Sequence, residues 1–185
     1  VYVLELETGE RRHLTPHEGD VRYSSVQWGP EGESLYLVTD DDSETLSLAR
    51  MDPESGDIEQ LRSGGEWHID GVAVDEERGA LVYSRNVDGY TELTLAELTD
   101  DGLRDRSVPD LPGSVAGGVS FGPDGERFAL SSSGRTETTH VSVVDLDALR
   151  QGAAEDAALS GHPAGAAPQC TEASTAVPPP ATVGD

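Results

Sequence analysis

Three short apolar segments, each running into a glycine turn, recur along the chain at a nearly constant interval. They are Val26-Gln27-Trp28-Gly29-Pro30-Glu31-Gly32, Val72-Ala73-Val74-Asp75-Glu76-Glu77-Arg78-Gly79 and Val119-Ser120-Phe121-Gly122-Pro123-Asp124-Gly125. The turn glycines are 47 and 46 residues apart, and the valines Val26, Val72 and Val119 are 46 and 47 apart. Proline presets φ for the first half of such a turn, and glycine accepts the positive φ that closes it, so a strand reverses at each site. Reversals this regular mark repeated supersecondary units, which constrains the fold more than any single motif.

A second apolar run follows each turn: Leu35 to Val38, Leu81 to Ser84 and Arg127 to Ser131. Polar turns come next, and then runs that alternate as half-buried strands do: Thr45 to Ala49, Thr91 to Leu95 and His140 to Val144. Leu48, Leu95 and Val143 keep spacings of 47 and 48. A fourth, more polar run closes two of the units, Ile58 to Arg62 and Leu103 to Val108. Four-stranded units of this length are the sequence sign of propeller blades. The expected fold is all-β, a partial β-propeller of about three four-stranded antiparallel blades plus part of another. The propeller is assigned to residues 1–150, with blades at about 1–20 (partial), 21–66, 67–112 and 113–150. Residues 151–185 are assigned to a short helix or linker, helical over about 147–159, followed by a disordered tail rich in Ala, Pro, Gly, Thr and Ser. A natural linker and a shifted reading frame both account for that change of composition.

With 36 acidic residues against 12 basic ones, all arginine, the formal net charge is -24. Such a surface repels phosphate backbones and anionic headgroups, so nucleic acid and membrane are excluded as expected partners. Salt screens this self-repulsion, which suits a halophile's cytoplasm. The single Cys170 leaves no intrachain disulfide, no apolar run reaches membrane-spanning length, and no signal-peptide pattern opens the sequence. A cytoplasmic location is expected.

Trp28-Gly29-Pro30-Glu31-Gly32, Phe121-Gly122-Pro123-Asp124-Gly125 with the strand Glu126 to Leu130, and Val141 to Leu146 resemble the TolB-like, or PD40, propeller repeat. With Arg85 to Leu93, the chain is most similar to the N-terminal propeller of prolyl oligopeptidase-type (S9) serine peptidases, with a haloarchaeal source. The resemblance covers residues 1 to about 150; the middle unit departs from it, since Asp75-Glu76-Glu77-Arg78-Gly79 lacks the proline. It implies a non-catalytic propeller that gates or positions peptide substrates for a missing α/β-hydrolase domain, where the catalytic Ser, Asp and His lie. The alternative is a TolB-like propeller that acts as a protein-binding scaffold.

No catalytic, cofactor or metal residue is assigned. Gly118-Val119-Ser120-Phe121-Gly122 matches the G-x-S-x-G nucleophile elbow, but an elbow needs a strand turning sharply into a helix, and Ser120 precedes a turn and another strand. Asp40-Asp41-Asp42 and Asp100-Asp101 fall at hairpin turns without the ligand spacing of a calcium loop. His13 and His17 have H-x-x-x-H spacing, which aligns two ligands only on a helix, and Pro16 lies between them. His140, His162 and Cys170 are isolated. His68, beside Trp67 in a link between blades, is read as a packed or solvated loop residue, the other possibility being a place in the channel. Tyr90 is expected to pack at a blade edge, and Trp28 and Phe121, at equivalent repeat positions, to share a packing role between blades.

Overall fold

The computed structural model describes residues 1–99, 102–106, 113–136, 138–147 and 171–172. A pair of short strands, β1 (Tyr2–Leu4) and β2 (Arg11–His13), comes first and forms a two-stranded sheet. Three four-stranded sheets follow. The first holds β3 (Tyr23–Trp28), β4 (Leu35–Thr39), β5 (Ser47–Met51) and β6 (Ile58–Arg62). The second holds β7 (Ile69–Asp75), β8 (Ala80–Val87), β9 (Tyr90–Thr99) and β10 (Gly102–Arg106). The third holds β11 (Val115–Phe121), β12 (Arg127–Ser133), β13 (His140–Asp145) and β14 (Thr171–Glu172). Every sheet is an antiparallel meander in chain order, the all-β partial propeller that the repeat implies.

The turn chemistry works as the spacing requires. Gly32, Gly79 and Gly125 have φ of 71°, 67° and 61°, the left-handed region that a β-carbon disfavours. The turns also stack from blade to blade. A β-carbon on Gly79 would meet Pro30 of the preceding turn at 3.6 Å, and one on Gly125 would meet Asp75 Oδ2 at 2.6 Å.

Burial explains why the second runs read as continuous apolar stretches. All five residues of β4 are buried, because its two faces serve different interfaces. Leu35 and Leu37 pack with Leu14, Ala49 and Met51 against the two-stranded sheet, while Tyr36 and Val38 join Ile69, Val72, Leu81 and Tyr83 of the second blade. β8 divides likewise: Leu81 and Tyr83 face back, and Ala80 and Val82 face forward to Phe128, Leu130 and Val144. In β12 only Phe128, Leu130 and Ser132 are buried, since no further sheet covers its forward face among the described residues.

Three expectations need correction. The hairpin register pairs Val38 with Leu48, Ser84 with Leu93, and Ser131 with Val141, so Leu48 corresponds to Leu93 and Val141, two residues from the Leu95 and Val143 that equal spacing selects. The β4–β5 connection is several residues long whereas Asp88-Gly89 alone joins β8 to β9, and the connections absorb the difference. Thr171–Glu172, expected to lack structure, pair with Ser142 and Val143 and give the third sheet its fourth strand, which otherwise leaves the outer edge of β13 unpaired. Tyr90 is 61% exposed and Trp28 40% exposed, so neither packs as expected. Phe121 packs on the cluster shared by the second and third blades and tilts on Phe128 of its own sheet at 5.7 Å; the two-stranded sheet covers β4 and leaves the end of β3 open. Leu146 and Asp147 are helical, and the rest of the expected helix lies outside the described residues.

Candidate functional site

The innermost strand of each blade carries a break in its ladder, at the same rung in β3 and β11 and one rung away in β7. Pairing shifts between Ser24 and Gln27 in β3, between Ile69 and Gly71 in β7, and between Gly117 and Ser120 in β11. Ser25 and Gly118 adopt φ of 51° and 63° there. A bulge leaves backbone groups outside the ladder and bends the strand, and bulges concentrate beside functional sites. Together these three open a recess of about 250 Å³, bounded by Ser25, Gly71, Ser84, Leu93, Ala116 and Gly118. Ser131 Oγ donates to the Gly117 carbonyl at 2.9 Å and holds one wall. The sequence signals for this feature are glycines inside strands, Gly71 and the Gly117-Gly118 pair, where residues without side chains sit in the ladder.

Ser120 lies beside the recess and is exposed, opposite Ala129. β11 continues through a turn into β12, so the strand-to-helix geometry of a nucleophile elbow is not formed at this serine.

The other singled-out residues serve the scaffold. The Leu46 N–H donates to His68 Nδ1 at 3.0 Å, and the Ile69 N–H donates back to the Leu46 carbonyl at 3.0 Å. Accepting at Nδ1 places the histidine's proton on Nε2. The next junction reproduces this clasp with other groups: Thr91 N–H to the Ser114 carbonyl at 2.8 Å, and Ala116 N–H to Thr91 Oγ1 at 3.0 Å. His68 is thus a structural link between blades. His13 stacks on Tyr2 at 4.3 Å, while His17 Nδ1 hydrogen-bonds the Thr15 carbonyl at 2.8 Å, so the two are held by different partners.

Asp40 accepts from the Arg22 N–H at 2.8 Å, and Asp41 accepts from the Tyr23 hydroxyl at 2.9 Å, tying the turn to the start of β3. Burial, then the hydrogen bond to Asp41, then the charges of Asp41, Asp40 and Asp42 push the Tyr23 hydroxyl up to about 12. His140 sits in β13 opposite Ser132. Asp100, Asp101, His162 and Cys170 lie outside the described residues. Among the described residues, no group of three or more His, Cys, Asp or Glu is placed to hold a metal ion, and no helix is long and apolar enough to cross a membrane.

Arginines bind neighbouring sheets together, which sequence reasoning missed. Arg62 of β6 reaches Asp105 with Nε and Nη2, both at 3.1 Å, and the Leu103 carbonyl at 2.6 Å. Arg12 of β2 donates to the Pro53 and Glu54 carbonyls at 2.7 and 3.2 Å.

No protein-family model matches the sequence, and no curated protein matches it. Solved structures do match by shape. TolB from Acinetobacter baumannii superposes with a TM-score of 0.59 at 16% identity, over 79% of this chain and 35% of TolB. Puromycin hydrolase gives 0.58 at 21% identity, over 75% of this chain and 21% of the hydrolase. Oligogalacturonate lyase in complex with manganese gives 0.55 at 15%, over 78% and 40%. The chain therefore spans 21% to 40% of the length of these structures. At such identities the likeness defines the fold: the chain is a run of β-propeller blades, similar in shape to those of TolB and of puromycin hydrolase.

Proposed function

We propose that this chain is the non-catalytic propeller portion of a prolyl oligopeptidase-type serine peptidase, positioning or gating peptide substrates for an α/β-hydrolase domain. The observation that carries the reading is the recess at the three inner-strand bulges, where Ser25, Ser84 and the Gly117-Gly118 backbone offer neutral hydrogen-bonding groups beside apolar walls. Extended peptides are held by such pairings of main chain with side-chain pockets. The similarity in shape to a puromycin hydrolase supports a link to hydrolysis. The equally good match to TolB supports the second reading, a propeller that serves as a protein-binding scaffold.

Sequencing the gene on both sides of this segment separates the two. Alternating strand and helix patterns with a nucleophile elbow downstream of the last blade are expected. A stop codon directly after ring closure, or an export signal upstream, replaces the peptidase reading with the scaffold. The chain by itself is expected to hydrolyse neither peptides nor esters. Hydrolysis by purified chain that Ser120→Ala abolishes would refute the assignment of catalysis to another domain.

A further inference from the structure

The two complete junctions between blades are built from corresponding residues, and they differ in how well they are filled beside the inner strands; toward the outer strands the first junction has a recess of its own, about 340 Å³, bordered by Tyr36, Arg50, Leu98 and Leu103. In the first junction Tyr36, Val38, Leu48 and Ile69 converge, and the last three are fully buried. The pairing register places Val82, Ser84, Leu93 and Ala116 at the corresponding points of the second. Tyrosine has become valine, valine serine, and isoleucine alanine. Each exchange removes side-chain volume, and Ser84, Leu93 and Ala116 remain only half-buried. Each junction is pinned by a pair of hydrogen bonds at corresponding points, Leu46 with His68 and Ile69 in the first and Thr91 with Ser114 and Ala116 in the second. The recess is the space these lost side chains would occupy.

We propose that this second junction is a specificity pocket for one uncharged apolar side chain of an extended peptide, with a single aromatic ring or branched aliphatic chain as the fitting group. An apolar cavity of ~150 Å³ already accommodates benzene. The recess here is about 250 Å³, which leaves space for the side chain's own link to a backbone. Val82, Leu93 and Val119 give it apolar walls. One wall is polar: a β-carbon on Gly71 would stand 3.5 Å from Ser25 Oγ and 3.7 Å from Ser84 Oγ, so both hydroxyls lie beside Gly71, where they could bond a peptide main chain. Among the described residues no carboxylate or guanidinium borders the recess, so a charged side chain entering it would lose hydration without gaining a partner there. The identity of the ligand as a peptide rests on the function proposed above; the presence of an apolar pocket does not.

The test uses the purified chain and three probes: toluene, N-acetyl-Gly-Phe-Gly-amide and N-acetyl-Gly-Lys-Gly-amide, with binding followed by NMR shifts of the Ala73, Leu93 and Ala116 methyl groups. Toluene and the phenylalanine peptide are expected to bind saturably, and the lysine peptide roughly tenfold more weakly or not at all. Ala116→Ile and Ser84→Val restore the residue types of the filled junction. Both are expected to weaken toluene and phenylalanine-peptide binding by about tenfold or more while melting temperature holds or rises. Should Ala116→Ile misfold from overpacking, Gly71→Val narrows the recess from another wall instead, since its β-carbon meets only ordinary contacts. Failure of the folded wild-type chain to bind toluene, or undiminished binding in a folded filled variant, overturns the pocket. Toluene binding without peptide binding overturns the peptide assignment. None of these results depends on a hydrolase domain, so loss of the peptidase reading from the flanking gene leaves the pocket intact and transfers it to a binding scaffold.

Discussion

Replacing Arg62 with methionine keeps the apolar stem and removes the charged fork that joins β6 to β10. Three hydrogen bonds across the junction are lost, two to Asp105 at 3.1 Å and one to the Leu103 carbonyl at 2.6 Å. The Arg62 and Asp105 side chains are 29% and 42% exposed, so the ion pair is partly screened and contributes up to about 1 kcal/mol. The bond to the backbone carbonyl adds about 1 kcal/mol. A total loss of about 1.5 to 2 kcal/mol follows, which at roughly 2–4 °C per kcal/mol for a domain of this size lowers the melting temperature by about 3–8 °C. Blades contact chiefly their neighbours, and hydrogen exchange should show the loss concentrated in β6 and β10. A double-mutant cycle with Asp105→Asn isolates the ion pair, and its coupling should shrink in molar salt, where the Debye length falls to about 3 Å, while the loss of the Leu103 bond persists. An unchanged melting temperature in Arg62→Met, or strict additivity with Asp105→Asn in low salt, would show that the arginine staples add no stability.

The turn ladder predicts unequal costs for one substitution: Gly32→Ala meets only the penalty for positive φ, about 1 kcal/mol, whereas Gly125→Ala also drives its β-carbon to 2.6 Å from Asp75 Oδ2 and should lose about 1–2 kcal/mol more. Equal losses in thermal melts would remove the stacking of turns as a stabilising feature. Tyr23 should titrate near 12 by ultraviolet absorbance, above the ordinary 10.0, and Asp41→Asn should bring it only part of the way back because burial is the larger cause. Since the folded chain keeps a proton that the unfolded chain has released, this contribution to stability is present below pH 10 and is lost as pH rises from 10 through 12. Finally, a net charge of -24 predicts that adding KCl to molar levels raises the midpoint of thermal unfolding, and a structure that is most stable in dilute buffer would refute the proposed adaptation to high salt.

The features legible in the sequence are those fixed by short-range physics. Gly32, Gly79 and Gly125 announce reversals because the backbone there needs a residue without a β-carbon, and the runs from Leu35, Leu81 and Arg127 announce strands because side chains alternate across a pleat. These local rules suffice for the repeat and for its antiparallel four-stranded sheets. They do not set the register of the third strands, because connections of unequal length decouple spacing along the chain from pairing across the sheet.

What only the tertiary structure decided is how residues distant in sequence meet. Ile69 and Ala116 look interchangeable as strand starters, and Val38 and Ser84 as strand ends, yet one combination fills the inner side of its junction and the other leaves a recess there. His68 reads as a lone loop histidine until folding brings the Leu46 amide to its Nδ1, and Arg62 reads as a surface charge until Asp105 is beside it. Thr171–Glu172 join a sheet only because β13 presents an edge to them. The repeat is written in dihedral preference and two-residue alternation, which each segment carries alone; the recess is a difference in packed volume between two junctions, and volume between blades exists only after they dock.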